Sequence, residues 1–248
     1  MANDREPAER ELMAAANQLA DDYLQGVADR RPYPGADALA GLSAFDESLP
    51  DEPRGGIETL ALLDRAGSPA TVPSNGSRYF GFVIGAALPA AAAADRLMLA
   101  WDQCASSHDT SPVSAAVEKV AARWLLDILD LPRQSGVGFG TGATAGTLAC
   151  LAAARRTLLM RRGWDSDHNG LAGSPQIRLI LSASAHISVR KAARLLGFGT
   201  AQIIEAPVDS HNRVAPVRLP PLDSSTILCL QAGEVNTGEF DPFAEIAP

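Results

Sequence analysis

A run of glycine and threonine ahead of a helical pattern is the first stretch of this sequence that could do chemistry. Residues 138–147 read Gly-Phe-Gly-Thr-Gly-Ala-Thr-Ala-Gly-Thr, and residues 148–155 continue as a helix-forming segment. Glycine lets backbone N–H groups approach a ligand closely, and a helix N-terminus adds unpaired donors and partial positive charge. The stretch therefore predicts an anion site, most often one for phosphate, with an ordinary turn and N-cap as the alternative.

Neither of the common nucleotide-binding motifs fits this stretch. Gly140, Gly142 and Ala145 match the dinucleotide fingerprint by letter, but residues 131–137 cannot supply the strand that must precede it. A P-loop is excluded because no Gly-Lys-Ser or Gly-Lys-Thr follows the glycines. The sequence therefore predicts a phosphate loop that belongs to neither nucleotide pattern.

Two polar loops further along the chain follow predicted strands. Residues 182–186, which end in His186, come after a predicted strand at 177–181, and residues 231–238 come after another at 226–230. Ligands of α/β proteins bind beyond the carboxyl ends of parallel strands, so both loops and the phosphate loop are expected at one edge. This convergence favours a functional role for His186 over that of a plain core or surface histidine.

The elements that must position these loops follow from the periodicity of the chain. Strands at 177–181, 201–204 and 226–230 alternate with a helix at 189–196, which predicts an α/β domain with a mostly parallel sheet and helical cover. Ser111 and Pro112 open a helix with an apolar face, at N-cap and N1, and a short helix is expected to start after Asp241 and Pro242 in the same way. The apolar face comprises Val113, Val117, Val120, Trp124, Leu125 and Ile128.

The first part of the chain reads differently. An amphipathic helix follows Pro7, and residues 29–56 are rich in Pro, Gly and Asp and are expected to form an extended connector. An aromatic patch at 78–83 has core packing as its simplest interpretation, and the alanine-rich residues 85–101 predict a buried helix. We expect a helical arm and connector over residues 1–84 and an α/β domain over 85–248.

Composition narrows the class of protein. The 248 residues are 46% hydrophobic with a formal net charge of −8, which is typical of a packed globular protein and argues against a nucleic-acid surface. Three widely separated cysteines are typical of a reducing compartment. The N-terminus does not read as a signal peptide, and the most apolar run, 82–94, is too short to span a bilayer. We expect a cytoplasmic protein without a nucleic-acid or membrane partner.

One stretch of the sequence partly matches a metal-binding motif. Residues 165–170 read Asp-Ser-Asp-His-Asn-Gly, the first half of a calcium-binding EF loop. The twelfth position is Gln176 instead of a bidentate glutamate, and a strand follows where a helix is needed. The sequence therefore predicts no metal site.

Several of these stretches together resemble the pyridoxal-phosphate-dependent group II amino-acid decarboxylases, the aromatic-L-amino-acid and glutamate decarboxylase-like enzymes. The resemblance is carried by residues 184–193, residues 232–242, Tyr79-Phe80-Gly81-Phe82, Trp101-Asp102-Gln103, Ser111-Pro112 and the phosphate loop. It implies the fold type I architecture, a homodimer with active sites near the interface, pyridoxal phosphate as the cofactor and an amino acid as the substrate. The activity that it implies is removal of the substrate carboxylate as carbon dioxide, with the cofactor ring accepting the electrons.

The resemblance also implies roles for individual residues. Gly142, Ala143 and Thr144 would bind the cofactor phosphate through backbone N–H groups and a hydroxyl. His186 would stack on the pyridine ring and act as an acid or base beside the reacting carbon, and Asn236 would lie near the ring and the substrate. Tyr79 and Phe80 would help to line the substrate pocket.

There are departures from the family pattern. Ala145 and Thr147 stand where many members have an acidic residue and an asparagine. The family's Schiff-base lysine and pyridinium-binding aspartate lie further along than Pro248, and the two lysines present, Lys119 and Lys191, read as solvated helix faces. The sequence thus predicts the first part of a decarboxylase that is inactive by itself. Oxidative deamination, carbon–sulfur cleavage and an inactive half-length partner protein are the alternatives.

Overall fold

The computed structural model describes residues 5–246. By its internal contacts the chain divides into two compact units, Met1–Asp102 and Gln103–Pro248. The predicted division into a helical arm over 1–84 and an α/β domain over 85–248 stays a prediction.

The first unit is helical. Its long helix α1 spans Arg5–Gly26, as the period of its apolar residues predicts. The other helices are α2 (Ala36–Gly41), α3 (Gly56–Leu62), which continues as a π-helical turn over Leu63–Gly67, and α4 (Pro89–Trp101). Arg30 lies over the ring of Tyr23 at 4.0 Å and donates from Nη2 to Ser68 Oγ at 2.8 Å, which joins distant segments of the unit.

Three expectations for this unit are wrong. The connector over residues 29–56 is not wholly extended, since α2 forms within it. The alanine-rich helix is present as α4, but its larger apolar side chains, including Leu97 and Leu99, are exposed. The aromatic patch does not pack in a core among the described residues, since Phe80 is 92% exposed. Periodicity indicates which face of a segment is apolar, but burial also requires a neighbour to cover that face.

The second unit contains the sheet. Its helices are α5 (Pro112–Ile128), α6 (Ala143–Arg161), α7 (Ser166–Asn169), α8 (Ile187–Leu195) and the single turn α9 (Phe243–Ile246). Its strands are β1 (Arg178–Ser182), β2 (Ile203–Ala206) and β3 (Thr226–Cys229). Each predicted strand and helix of this unit is present, with boundaries shifted by one or two residues.

The strands of the described residues form one parallel sheet in the order β2-β1-β3. Leu179 pairs with Ile203 on one side and with Ile227 on the other. The central strand β1 is buried on both faces, because Leu179 and Leu181 pack in one core cluster and Ile180 packs in another. Both faces of a parallel sheet are normally covered in this way. The predicted α/β architecture is confirmed.

Helix α5 is capped as predicted but is not buried as its pattern suggests. Ser111 is the N-cap, and its Oγ accepts a hydrogen bond from Ser114 N at 3.4 Å. Of the predicted apolar face, Val117, Trp124 and Ile128 are exposed, and Leu126 is the residue of this helix that is buried.

Asp241 does not use its side chain to cap α9. Its Oδ1 accepts a hydrogen bond from Val214 N and its Oδ2 accepts one from Gln231 N, both at 2.7 Å. The buried carboxylate therefore joins the end of β3 to the turn that follows β2.

The length and polarity of the helices decide whether any of them could span a membrane. Within residues 5–246, no helix has the length and apolar character that crossing a membrane requires.

Candidate functional site

The predicted phosphate loop leads directly into the N-terminus of α6. Gly142 is the N-cap in extended conformation, and Ala143 is the first residue of the 19-residue helix. The first intrahelical bonds come from Ala145 N and Gly146 N to Gly142 O at 3.0 and 3.2 Å. The amides of Ala143 and Thr144 therefore have no carbonyl partner within the helix, and with the helix dipole they can hold a phosphate.

The starts of α6 and α8 lie at the same end of the sheet. Leu159 near the end of α6, Ile177 just before β1 and Leu196 just after α8 line one cavity. Arg155 in α6 also donates a hydrogen bond to Leu196 O. Because the ends of both helices meet at the amino end of β1, their starts point toward its carboxyl end. The structure therefore supports the predicted grouping of the phosphate loop with the loop that carries His186.

His186 is the N-cap residue of α8, and its side chain is exposed. Ser188 N donates to His186 Nδ1 at 3.2 Å, and Ser188 Oγ lies 2.8 Å from the same atom. Since Nδ1 accepts a hydrogen bond from the backbone, a neutral ring carries its own proton on Nε2. This arrangement sets the orientation of the ring and leaves Nε2 as its proton-carrying atom.

The loops that follow β1 and β3 are tied together by hydrogen bonds. Gln231 Nε2 donates to Ser184 Oγ at 3.3 Å, and Ser184 Oγ donates to Asn212 O at 3.1 Å. Ser182 Oγ lies 2.9 Å from the Ser184 hydroxyl. The segment before His186 and the segment before Asn236 are thus linked at the carboxyl edge of the sheet.

Asn236 lies in a compact loop that closes on itself. Ala232 pairs with Phe240 across the loop, and Glu234 N donates to Glu239 O at 2.9 Å. Gly233 has a φ of 102°, a conformation that favours glycine. Inside the loop the carboxylate of Glu234, which is 4% exposed, accepts hydrogen bonds from the backbone and side chain of Asn236, each at 2.8 Å.

The pKa of Glu234 reflects two opposing effects. Burial raises it, whereas hydrogen bonds from the backbones and side chains of Thr237 and Asn236 lower it, and the net pKa lies below the ordinary glutamate value. Glu234 is therefore ionised at neutral pH.

Tyr79 and Phe80 belong to the first unit, so their placement is described within that unit. Tyr79 is half-buried and folds back over Gly81, since an added Cβ at Gly81 would lie 2.7 Å from the Tyr79 hydroxyl. The next two residues, Phe82 and Val83, have positive φ values of 56° and 55°, which are uncommon for residues with bulky side chains. The segment presents the Phe80 ring to solvent.

The structure also describes the predicted EF-like stretch and the two lysines. Residues 165–170 form an N-capped turn in which Asp165 Oδ1 accepts from Asp167 N at 3.0 Å, and no group of three acidic, histidine or cysteine side chains in residues 5–246 could hold a metal ion. Lys119 on α5 and Lys191 on α8 are both exposed.

Sequence reasoning missed the residues that support these loops. Ser184, Gln231 and Glu234 are within or beside the recognised stretches, but no role is apparent for them from spacing alone. Asp241 is predicted to be a helix cap, not a carboxylate that joins two segments. The sequence feature that could have indicated them is the presence of acidic residues in an otherwise uncharged polar loop. If such a carboxylate is buried, it needs hydrogen-bond donors around it.

The comparisons with known proteins identify the family of the chain. The family model described as the pyridoxal-dependent decarboxylase conserved domain matches residues 77–248, which is more than half of the chain. The chain belongs to this family. The cofactor of the family is pyridoxal phosphate, and the family's fold type I architecture agrees with the parallel sheet described above.

Individual relatives are distant and longer. The chain is 26% identical over 251 residues to acidic amino acid decarboxylase GADL1 of Homo sapiens, in a match that covers 98% of this chain and 46% of that protein. It is 27% identical over 251 residues to L-2,4-diaminobutyrate decarboxylase of Rhizobium meliloti (strain 1021), in a match that covers 95% of this chain and 47% of that protein. The chain spans about half the length of these curated relatives.

A solved structure shows the same fold. The crystal structure of Oryza sativa TDC with PLP and tryptamine aligns with a TM-score of 0.79 and 23% identity, over 96% of this chain and 51% of that chain. At this identity the likeness shows the fold alone.

The free amides at the start of α6 fit the phosphate of pyridoxal phosphate, and the exposed ring of His186 at the same end of the sheet fits a planar group.

Proposed function

We propose that this chain supplies the phosphate-binding and ring-contacting part of a pyridoxal-phosphate-dependent amino-acid decarboxylase. The observation that carries the proposal is the common placement of the α6 N-terminus and the His186 loop at one end of the sheet, in a chain that belongs to this family. Bound pyridoxal phosphate supplies an electron sink for the carbon that loses carbon dioxide.

The residues of this chain have separate tasks in the proposal. Gly142 lets the phosphate approach, and Ala143 N, Thr144 N and the Thr144 hydroxyl donate to its oxygens. His186 covers one face of the ring and holds a proton at Nε2, where it can be moved to or from the reacting carbon. Asn236 contributes a polar contact from the loop after β3, and Tyr79 and Phe80 line the substrate pocket.

Catalysis itself needs a lysine for covalent capture of the cofactor. Lys119 and Lys191 are exposed on α5 and α8, and neither belongs to the loops that carry the proposed cofactor contacts. We therefore propose that the lysine comes from outside these 248 residues and that the chain by itself binds the cofactor without decarboxylating an amino acid. Oxidative deamination and carbon–sulfur cleavage remain alternative outcomes at the same site.

The proposed assembly is a homodimer in the cytoplasm. The exposed apolar side chains of α5 support a covered interface on that helix. The three cysteines, Cys104, Cys150 and Cys229, are free, which agrees with a reducing compartment.

A substitution at the helix N-terminus tests the cofactor site. We expect Gly142→Asp to weaken the binding of pyridoxal phosphate about tenfold or more, because the new carboxylate would occupy the position of the phosphate. Aspartate is a favourable N-cap, so the stability of α6 should be kept. The measurement is a fluorescence titration of the purified chain with pyridoxal phosphate.

Gly136→Asp is the matched control. Gly136 has open space around it and lies outside the loop, so this variant adds the same charge without blocking the helix. Equal affinities of the chain and of Gly142→Asp would contradict the proposed phosphate site.

A further inference from the structure

The loop after β3 contains a carboxylate that the proposed chemistry does not use. Glu234 is 4% exposed and has no cation among its hydrogen-bonding partners in the described part of the chain. A buried charge of this kind is costly unless hydrogen bonds satisfy it.

The two oxygens of Glu234 have different partners. Oε2 accepts from Asn236 N at 2.8 Å, Thr237 N at 2.9 Å and the Thr237 hydroxyl at 3.2 Å. Oε1 accepts from the side-chain nitrogen of Asn236 at 2.8 Å. These donors surround the carboxylate and hold it within the loop.

The ionised state of Glu234 decides which way the Asn236 amide faces. A carboxylate can only accept hydrogen bonds, so the amide must present its NH₂ group to Oε1. The carbonyl oxygen Oδ1 then points away from Glu234. Because Asn236 is exposed beyond the end of β3, Oδ1 is the group that it offers to a ligand.

We infer that Glu234 is a positioning residue that holds Asn236 with Oδ1 outward, so that the site accepts a hydrogen bond from an O–H or N–H group of its ligand. This inference rests on the proposed function, since the ligand is taken to be the cofactor or the substrate bound to it. Two groups there have the required chemistry, the ring hydroxyl of the cofactor and the amino group of the amino acid.

A pair of reciprocal substitutions tests the orientation. In Glu234→Gln, the new amide oxygen accepts from the backbone and its NH₂ group faces Asn236, which must turn and present Nδ2 outward. In Asn236→Asp alone, two carboxylates meet at the present 2.8 Å contact. In the double variant the introduced aspartate accepts from the introduced glutamine side chain and again presents an oxygen outward.

Binding of pyridoxal phosphate and pyridoxamine phosphate to the full chain is the first measurement. We expect each single variant to weaken binding about tenfold and the double variant to return to within about threefold of the original chain. If the single variants bind both compounds more weakly, the contact is assigned to the ring hydroxyl. If they bind only pyridoxamine phosphate more weakly, it is assigned to the amino group. A double variant that binds no better than the single variants overturns the inference, because a residue with a merely structural role would not be rescued.

Nitrogen-15 NMR of the Asn236 side chain separates this inference from the proposed function. Its amide signals, identified by their loss in Asn236→Asp, should shift with pH as Glu234 is protonated, below the ordinary glutamate range, and this shift should disappear in Glu234→Gln. Amide signals that are insensitive to pH and to the substitution overturn the inference. If the chain binds neither compound while the amide signals behave as expected, the proposed cofactor site fails and the orientation of Asn236 stands.

Discussion

Strand β1 and helix α5 both carry apolar sequence but have contrasting surroundings. Leu179, Ile180 and Leu181 in β1 are fully buried. Helices α6 and α8 cover the face of Leu179 and Leu181, whereas Ile180 packs on the opposite face with Val214 and Ala206. On α5, Ile128 is 78% exposed and Val117 is 61% exposed. Apolar composition is therefore no guide to burial by itself in this chain.

The contrast shows which contacts stabilise each of the two elements. The strand is stabilised on both faces by side chains that come from between residues 148 and 246. Helix α5 is stabilised by its own backbone hydrogen bonds, by its Ser111 cap and by the burial of Leu126. Its outer face is available for another surface, which is the reason that we propose an interface there.

The largest effect is expected in β1. Leu179→Ala should lower the free energy of unfolding by about 2–5 kcal/mol, because it leaves a cavity between packed elements. Ile128→Ala on α5 is the matched control and should change it by less than about 0.5 kcal/mol. Urea unfolding followed by circular dichroism measures both. Similar losses in the two variants would remove the contrast between the strand and the helix.

The outer face of α5 can be tested directly. We expect the chain to self-associate with rising concentration, since contiguous exposed apolar side chains favour association. Replacing Val117, Trp124 and Ile128 together with glutamine should abolish that association and leave the helix content unchanged, because glutamine is a good helix former. Sedimentation velocity is the measurement. Unchanged association of the triple variant would locate the interface elsewhere.

The smallest effect on the free energy of unfolding is expected at the N-cap of α5. A cap stabilises the end of a helix whether or not other elements cover the face of that helix. Ser111→Ala should cost about 1 kcal/mol, because Ser114 N loses its acceptor. Thr157→Ala, at an exposed position in the C-terminal half of α6, is the control and should be neutral or slightly stabilising, since the Thr157 hydroxyl donates to Ala153 O within the same helix. The readout is again the urea midpoint, and a cost for Thr157→Ala equal to that of Ser111→Ala would contradict a specific role for the cap.

Much of the site was predictable because its signals are local. Glycines before a helical run specify a helix N-terminus with free amides, and strands followed by polar residues specify an edge at which loops meet. The placements of Gly142, Ala143 and Thr144 at the start of α6 and of His186 at the start of α8 follow from these rules. The bounds of β2 were less predictable, because the segment at Thr200–Gln202 forms a 3₁₀ turn before the strand begins.

Other features could not be predicted because they depend on contacts between distant residues. Asp241 reads as a helix cap, yet its carboxylate bonds to Val214 and Gln231, and only the return of the chain past β2 makes those partners available. Similarly, residues 85–101 read as a buried helix, and the exposure of α4 reflects the absence of a covering element among the described residues.

By itself, the sequence determined the family, the α/β class, the parallel alternation of the second unit and the identity of the polar loops, because each of these depends on residues close together in the chain. The tertiary structure alone decided which apolar faces are covered, which hydroxyls join the His186 and Asn236 loops, and which way the Asn236 amide faces. Those outcomes depend on the burial of Glu234 and on hydrogen bonds such as that between Gln231 and Ser184, 47 residues apart, and no local pattern carries that information.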